Sequence, residues 1–223
     1  MTTSGHDVHS GSVERGVQNR LVEAAEELFC KRGFNDTSVR DIAATAGCNI
    51  ASVNYYFGGK DNLYVEVWRW HLAELRDVRL ASIAEVMSKG GQPQLEELLR
   101  SYANSFIEPL VSGGRSERFV NLMAREMVDP HLPRDMFLND MIVPVMGAFA
   151  AALRHICPWL EEGRARLVIL SIVGQLMQTV LSKDMFERGD HPAVPKLDLE
   201  EMVEHIVSFS AAGILACRSE SGE

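Results

Sequence analysis

The chain has 223 residues, 46% of them apolar and 24% charged, and a formal net charge of −9. That balance suits a folded chain large enough to bury its own core, and it excludes a disordered or low-complexity protein. Its four cysteines (30, 48, 157 and 217) form no CxxC pair and share no zinc-ligand spacing with histidine, so neither a disulfide framework nor a metal or other cofactor is expected.

The N-terminal stretch MTTSGHDVHSGSVERG has no apolar run, which argues against a secretory leader, and residues 1–16 read as a disordered tail. Beyond it, Gly and Pro punctuate stretches with apolar residues at i, i+3, i+4 and i+7. The strict alternation of strands is essentially absent, so the fold class is all-α. A first helix is expected over Val17–Arg32, with Val22, Ala25, Leu28 and Phe29 inward and Gly33 closing it. Two short helices follow, Ser38–Ala46 with Thr37 as candidate N-cap and Ile50–Phe57 capped by Asn49, joined by a tight Gly47-Cys48-Asn49 turn. Gly58-Gly59 breaks the chain before a long helix at Asp61–Ser88. Further helices are expected at Gln94–Val111, Ser116–Met127, Pro133–Ile156, Gly163–Phe186 and Asp198–Cys217, with Pro144 kinking the third of these. Turns at Gly113-Gly114, Asp129-Pro130, Cys157-Pro158 and Gly189–Pro195 separate them. The longest uncharged runs, Leu167–Ser182 and Ile206–Cys217, fall short of the roughly 20 apolar residues of a membrane span, so no membrane partner and a cytoplasmic location are expected.

Charge does not point to a polyanionic partner. Residues 1–60 hold 6 Lys/Arg and 7 Asp/Glu, a net −1, and residues 61–223 hold 16 and 24, a net −8. The pointer is geometric. Two short helices joined by a glycine turn form a helix-turn-helix, with Ile42, Ala43, Ala46 and Val53 spaced to face inward. The outward side of the second helix carries Ala51, Ser52, Asn54, Tyr55 and Tyr56. Ser and Asn can bond base edges, Asn suiting a bidentate contact with adenine, and Ala51 can meet a thymine methyl. Tyr hydroxyls and Lys60 can hold phosphates, as can Thr37 and Ser38 at the opening of the first short helix; Arg40 and Asn49 complete the candidate DNA-binding set. The bland alternatives are packing for the tyrosines, solvation for Ser52 and Asn54, and a surface ion pair with Asp36 or Asp41 for Arg40.

Four matches over Arg20–Tyr64 give the segment a wider resemblance: AEELFCKRGF at 25–34, TSVRDIA at 37–43, Ala46-Gly47 at the turn, and Tyr55-Tyr56-Phe57 followed by Lys60. Together they resemble the DNA-binding domain of the TetR family of transcriptional regulators. The family's usual tyrosine in mid-recognition helix is Asn54 here, and its common early glycine is Ala51; both departures bear on operator sequence. A second resemblance, to the CecR-like branch, rests on Ala124-Arg125-Glu126-Met127, Asp129-Pro130, Ile142-Val143-Pro144 and the run Asn54–Lys60. The resemblance implies a DNA-binding domain at 17–62, a ligand-binding and dimerisation domain at 63–223, a palindromic double-stranded DNA operator, and release by a small-molecule inducer.

Met and aromatic side chains are plentiful between Trp68 and Met146. Most have core spacing, but such side chains also line adaptable pockets. Trp68, Phe106, Met123, Met127, Phe137 and Met141 are the candidate ligand-binding residues, and they suit an apolar or amphipathic molecule. Arg125 and Glu126 read as an ion pair or a capping set. Leu167–Leu181 carries no charge and is apolar nearly all round, and Gly174 with Ala211-Ala212-Gly213 on the final helix allows close approach, so one chain of this size is not expected to cover both helices fully. Leu167, Leu170, Gly174, Met177, Leu181, Ile206, Phe209 and Gly213 are therefore expected at a homodimer interface. No GxSxG, HExxH, P-loop or GxGxxG motif occurs, so an enzyme is not expected. The competing reading is a helical small-molecule carrier or interaction module that does not bind DNA.

Overall fold

The computed structural model describes residues 7–111, 114–188, 196 and 198–220, and among these the regular structure is entirely helical. The helices are α1 (Asp7–Arg32), α2 (Val39–Thr45), α3 (Ile50–Phe57), α4 (Lys60–Ser88), α5 (Leu95–Val111), α6 (Gly114–Val128), α7 (Val143–Ile156), α8 (Glu162–Arg188) and α9 (Leu199–Glu220). The chain clusters into two compact units. One holds residues up to Leu72 with Gly113–Met136, and the other holds Ala73–Ser112 with Phe137–Glu223.

In the first unit α1 packs against α2 and α6, and α2 against α3. Leu21, Ala25, Leu28 and Phe29 on α1 are buried, with Ile42, Ala43, Ala46 and Val53 beneath the two short helices. Gly33 (φ 84°) and Gly47 (φ 62°) supply the left-handed turns that end α1 and join α2 to α3. The unit is larger than residues 17–62 because α6 and the start of α4 belong to it. Helix α1 begins at Asp7, ten residues earlier than expected; residues 7–16 extend an existing helix and so escape the cost of nucleation.

In the second unit α5, α7, α8 and α9 pack together. Leu95, Leu98, Leu99, Tyr102, Phe106 and Leu110 give α5 its buried stripe. At its centre the Tyr102 and Phe149 rings stack at 4.0 Å. Helix α8 buries Ala165, Ile169, Ile172 and Leu176 on one side but exposes Leu167, Leu170, Leu181 and Met185. Its segment Glu162–Lys183 is long and apolar enough, by length and composition alone, to cross a bilayer, which the uncharged run Leu167–Ser182 inside it is not.

The helix expected over Pro133–Ile156 begins at Met136 and runs unbroken to Ile156, but it is not regular throughout. A π-helical turn spans Leu138–Ile142, and α7 starts at Val143 with Pro144 in its first turn. Proline has no N–H to offer the Asp140 carbonyl one α-turn back, and that carbonyl lies 3.5 Å from Arg76 Nη1 instead. The irregularity expected at Pro144 thus falls on the residues before it. The expected Gly189–Pro195 turn lies outside the described residues, and Gly114 of the Gly113-Gly114 pair opens α6.

Phe149 is fully buried. Phe149→Ala is expected to cost about 3–5 kcal/mol of unfolding free energy in urea titrations followed by circular dichroism.

Candidate nucleic-acid interface

The helix-turn-helix is built from local capping chemistry. Ser38, not Thr37, is the N-cap of α2. Its hydroxyl oxygen accepts from the Asp41 N–H at 3.1 Å, while the Asp41 carboxylate accepts from the Ser38 hydroxyl at 2.7 Å and faces its N–H at 3.4 Å. Those bonds hold the exposed Asp41 carboxyl below the ordinary carboxylate range. Asn49 caps α3, its Oδ1 accepting from the Ala51 N–H at 2.9 Å. Gly58 ends α3 in the left-handed conformation, its N–H donating to Asn54 O.

These caps fix which face of α3 points outward. Val53 is fully buried beneath it. Ala51, Asn54 and Tyr55 are exposed, Tyr55 at 77%, and Ser52 and Tyr56 are half-buried. The Tyr55 and Tyr56 rings meet edge-on at 4.9 Å. Ile50 is also exposed and adds an apolar surface beside Ala51. Arg40 is exposed on α2. Ser38, Arg40, Asn49, Ala51, Ser52, Asn54, Tyr55 and Tyr56 thus lie on α2, α3 or their caps with side chains wholly or partly accessible.

Thr37 and Lys60 are placed otherwise. Thr37 is 1% exposed, and its Oγ1 lies 2.7 Å from the Gly33 carbonyl and 3.3 Å from that of Leu28. Lys60 Nζ donates to the carbonyls of Phe34 (3.0 Å) and Thr37 (3.1 Å) and sits 4.1 Å from the centre of the Phe34 ring. Carbonyls at the exit of α1 and in the loop that follows it, those of Gly33, Phe34 and Thr37, take both side chains inward.

Two arginines take part that sequence spacing did not single out for this task. Arg20 Nε donates to Ala46 O at 3.3 Å, pinning the α2–α3 turn onto α1. Arg125 donates to Cys30 O (3.2 Å) and Lys31 O (3.1 Å), carbonyls in the last turn of α1. Neighbouring Glu126 accepts from the Tyr64 hydroxyl (2.8 Å) and from the N–H groups of His131 (2.8 Å) and Leu132 (2.7 Å). Arg125 and Glu126 are therefore a capping set. Burial, with the Glu126 carboxylate beside it, pushes the Tyr64 phenol well up, so it stays a donor. Burial likewise pushes the Cys30 thiol up to about 12, which leaves it a poor nucleophile.

Of the six candidate ligand residues, Phe106 and Met141 are buried around Arg79 in the second unit. Phe137 is 37% exposed there, on the approach to the π-helical turn. Trp68 is buried in the first unit against Phe119, with ring centres 5.5 Å apart. Met123 is half-buried, and Met127 is 82% exposed at the end of α6, lining nothing there. Among the eight candidate interface residues, Leu167, Leu170, Gly174, Leu181, Phe209 and Gly213 are exposed, Met177 is half-buried, and Ile206 is buried within the chain.

The inward placement of Thr37 separates two roles. Thr37→Val is expected to lower stability by about 1–3 kcal/mol in thermal or urea unfolding, because buried carbonyls lose their donor. The DNA affinity of the folded fraction is expected to stay within about twofold of wild type; a phosphate contact would show the reverse pattern.

Comparison with known proteins follows this geometry. Residues 21–67 match the family described as bacterial regulatory proteins, tetR family, and residues 95–214 match the C-terminal domain of the HTH-type transcriptional dual regulator CecR. The CecR protein of Shigella flexneri is 36% identical over 177 residues, covering 75% of this chain and 77% of the relative. The HTH-type transcriptional regulator YttP of Bacillus subtilis is 25% identical over 129 residues, 56% of this chain; the chain spans 62% of that relative's length. A crystal structure described as a TetR-family regulator from Mesorhizobium loti superposes with a TM-score of 0.66 at 19% identity, covering 91% of this chain and 96% of the other, and so shares the fold. The chain belongs to the TetR family of DNA-binding transcriptional regulators, in its CecR-like branch, and is a regulator and not an enzyme.

Proposed function

We propose that the chain works as a homodimeric repressor that grips a palindromic operator with one α3 from each protomer and lets go when a small apolar or amphipathic molecule binds its C-terminal part. The observation that carries this reading is the face of α3: Asn54 and Tyr55 stand exposed on a helix whose other side is locked by buried Val53 and capped at both ends. A rigid, outward polar face is what a major groove can read. Asn54 is assigned to a base edge, Ser52 to a base edge or phosphate, and Tyr55, Tyr56, Ser38 and Arg40 to phosphates. Asn49 and Ala51 lie where α3 approaches the groove. Thr37 and Lys60 are assigned to holding the loop. With a net charge of −1 over residues 1–60, affinity rests on a few placed contacts and not on a broad basic surface.

The dimer part of the reading is supported by the apolar strip on α8 and α9. Leu167, Leu170 and Leu181 on α8 and Phe209 and Leu215 on α9 face out of the chain. A groove of about 800 Å³ between the two helices, bordered by Leu170, Gly174, Met202 and Ile206, offers a seat for a partner's helix. A four-helix interface covers that strip. Release requires the ligand to bind the off-DNA conformation more tightly than the DNA-bound one. A chromosomal operator places the protein in the cytoplasm.

Fluorescence anisotropy on DNA upstream of the protein's own gene, across a salt series, tests the reading. Wild type is expected to bind tightly and to weaken with salt. Asn54→Ala is expected to lose about 1–3 kcal/mol of affinity and to relax selectivity at one position per half-site. Affinity unchanged by Asn54→Ala would move the contact face away from α3. Sedimentation of Leu181→Lys is expected to show monomers where wild type shows dimers, and a persistent dimer would place the interface elsewhere.

A further inference from the structure

Arg79 of α4 is a buried cation without a counter-ion. The residue is 6% exposed, yet among the described residues no carboxylate lies within ion-pairing distance of it. Its guanidinium stacks over the Phe106 ring at 4.0 Å, and Nη1 touches the Met141 sulfur at 4.0 Å. Nε is buried with no hydrogen-bond partner among the described residues. Arg76, one turn earlier on the same helix, makes the contrast: it pairs with Asp77 at 2.8 Å and donates toward Asp140 O. Burial draws the Arg79 guanidinium down to about 10, which leaves it charged at neutral pH.

Buried charges in folded proteins are paired, because a lone ion outside water forfeits its hydration for nothing in return. An aromatic face and a thioether do not discharge a guanidinium. The surroundings are mostly apolar, with few polar groups beside the guanidinium. Phe106, Met141 and the stacked Tyr102–Phe149 pair provide apolar walls, and the Ser82 and Ser105 hydroxyls, 3.0 Å apart, provide a small polar strip from α4 and α5. Met141 sits on the π-helical turn, where an unbranched side chain can swing aside with little cost.

We propose that Arg79 is the anchor of the inducer site and that the inducer is an amphipathic carboxylate, its headgroup paired with the guanidinium and its apolar body lying along Phe106 in the place Met141 now fills. This rests on the reading of the chain as ligand-released, and it narrows the apolar or amphipathic class to anions. A carboxylate meets the planar fork of Arg through two parallel N–H···O bonds, one of them from the Nε that has no hydrogen-bond partner among the described residues.

The test uses the full-length protein with octanoate and decanoate beside octan-1-ol and decan-1-ol, read by calorimetry and by release of labelled operator DNA. The carboxylates are expected to bind about tenfold or more tighter than the alcohols of equal length. Arg79→Met and Arg79→Gln are expected to abolish that preference while leaving alcohol affinity within about threefold. Two neutral variants guard against one that misfolds, and circular dichroism checks both. Equal affinity for acid and alcohol in wild type, or a preference that survives both variants, overturns the assignment of Arg79. If the alcohols bind and release DNA without any gain for the acids, the ligand-released reading stands and the anion fails. If neither class binds or releases DNA, both fall.

Discussion

The carbonyls that close α1 and line the loop after it, from Cys30 to Thr37, are the constraint from which the reading head is built. A helix leaves its last carbonyls without internal partners, and the chain here turns sharply at Gly33 so that those oxygens face other elements. Arg125 from α6 takes Cys30 O and Lys31 O, Thr37 takes Gly33 O, and Lys60 from the start of α4 takes Phe34 O and Thr37 O. The Arg125 cation at the negative end of the α1 dipole adds favourable charge to the geometry. Phe34 is held in the same knot, between the Tyr64 ring at 5.0 Å and the His131 ring at 4.2 Å.

The position of α3 follows from that knot. The α1–α2 loop is short and tied at both of its ends, so α2 starts from a fixed point, and the Ser38–Asp41 box fixes its direction. Arg20 then holds the α2–α3 turn through Ala46 O. Lower on α1, buried Glu26 stands 3.7 Å from Arg118 Nε on α6 and 3.4 Å from His71 Nε2 on α4, so the three helices meet at this carboxyl. A reading face positioned in this way can discriminate bases with few contacts, which suits a head that carries no excess of positive charge. It also makes α6 a mechanical part of the head, although it lies more than 80 residues downstream of α1.

The sequence was informative wherever the cause was local. The span Ile50–Phe57, the Asn49 cap and the turns at Gly33 and Gly47 follow from residues that act within four positions of themselves. The buried set Ile42, Ala43, Ala46 and Val53 follows from helical periodicity, and the exposed strip on α8 from its being apolar on too many sides. What was not legible acts across distance. Thr37 and Lys60 have the chemistry of phosphate contacts, and only the tertiary path of the chain as it leaves α1 shows that the carbonyls of Gly33, Phe34 and Thr37 bind them. The π-helical turn before Pro144 depends on an extra residue being absorbed over Leu138–Ile142, which periodicity alone does not register. Arg79 looks like any arginine on a long amphipathic helix until its neighbours prove to be Phe106 and Met141.

Hydrogen exchange on the Lys60→Met, Arg125→Met double variant tests the central claim most directly. If the carbonyl knot positions the reading head, amides from residue 29 to residue 57 are expected to exchange markedly faster than in wild type, while those of α5, α7, α8 and α9 keep their protection. Unchanged protection across residues 29–57 would show that the head is held by its apolar core alone, and would contradict the account.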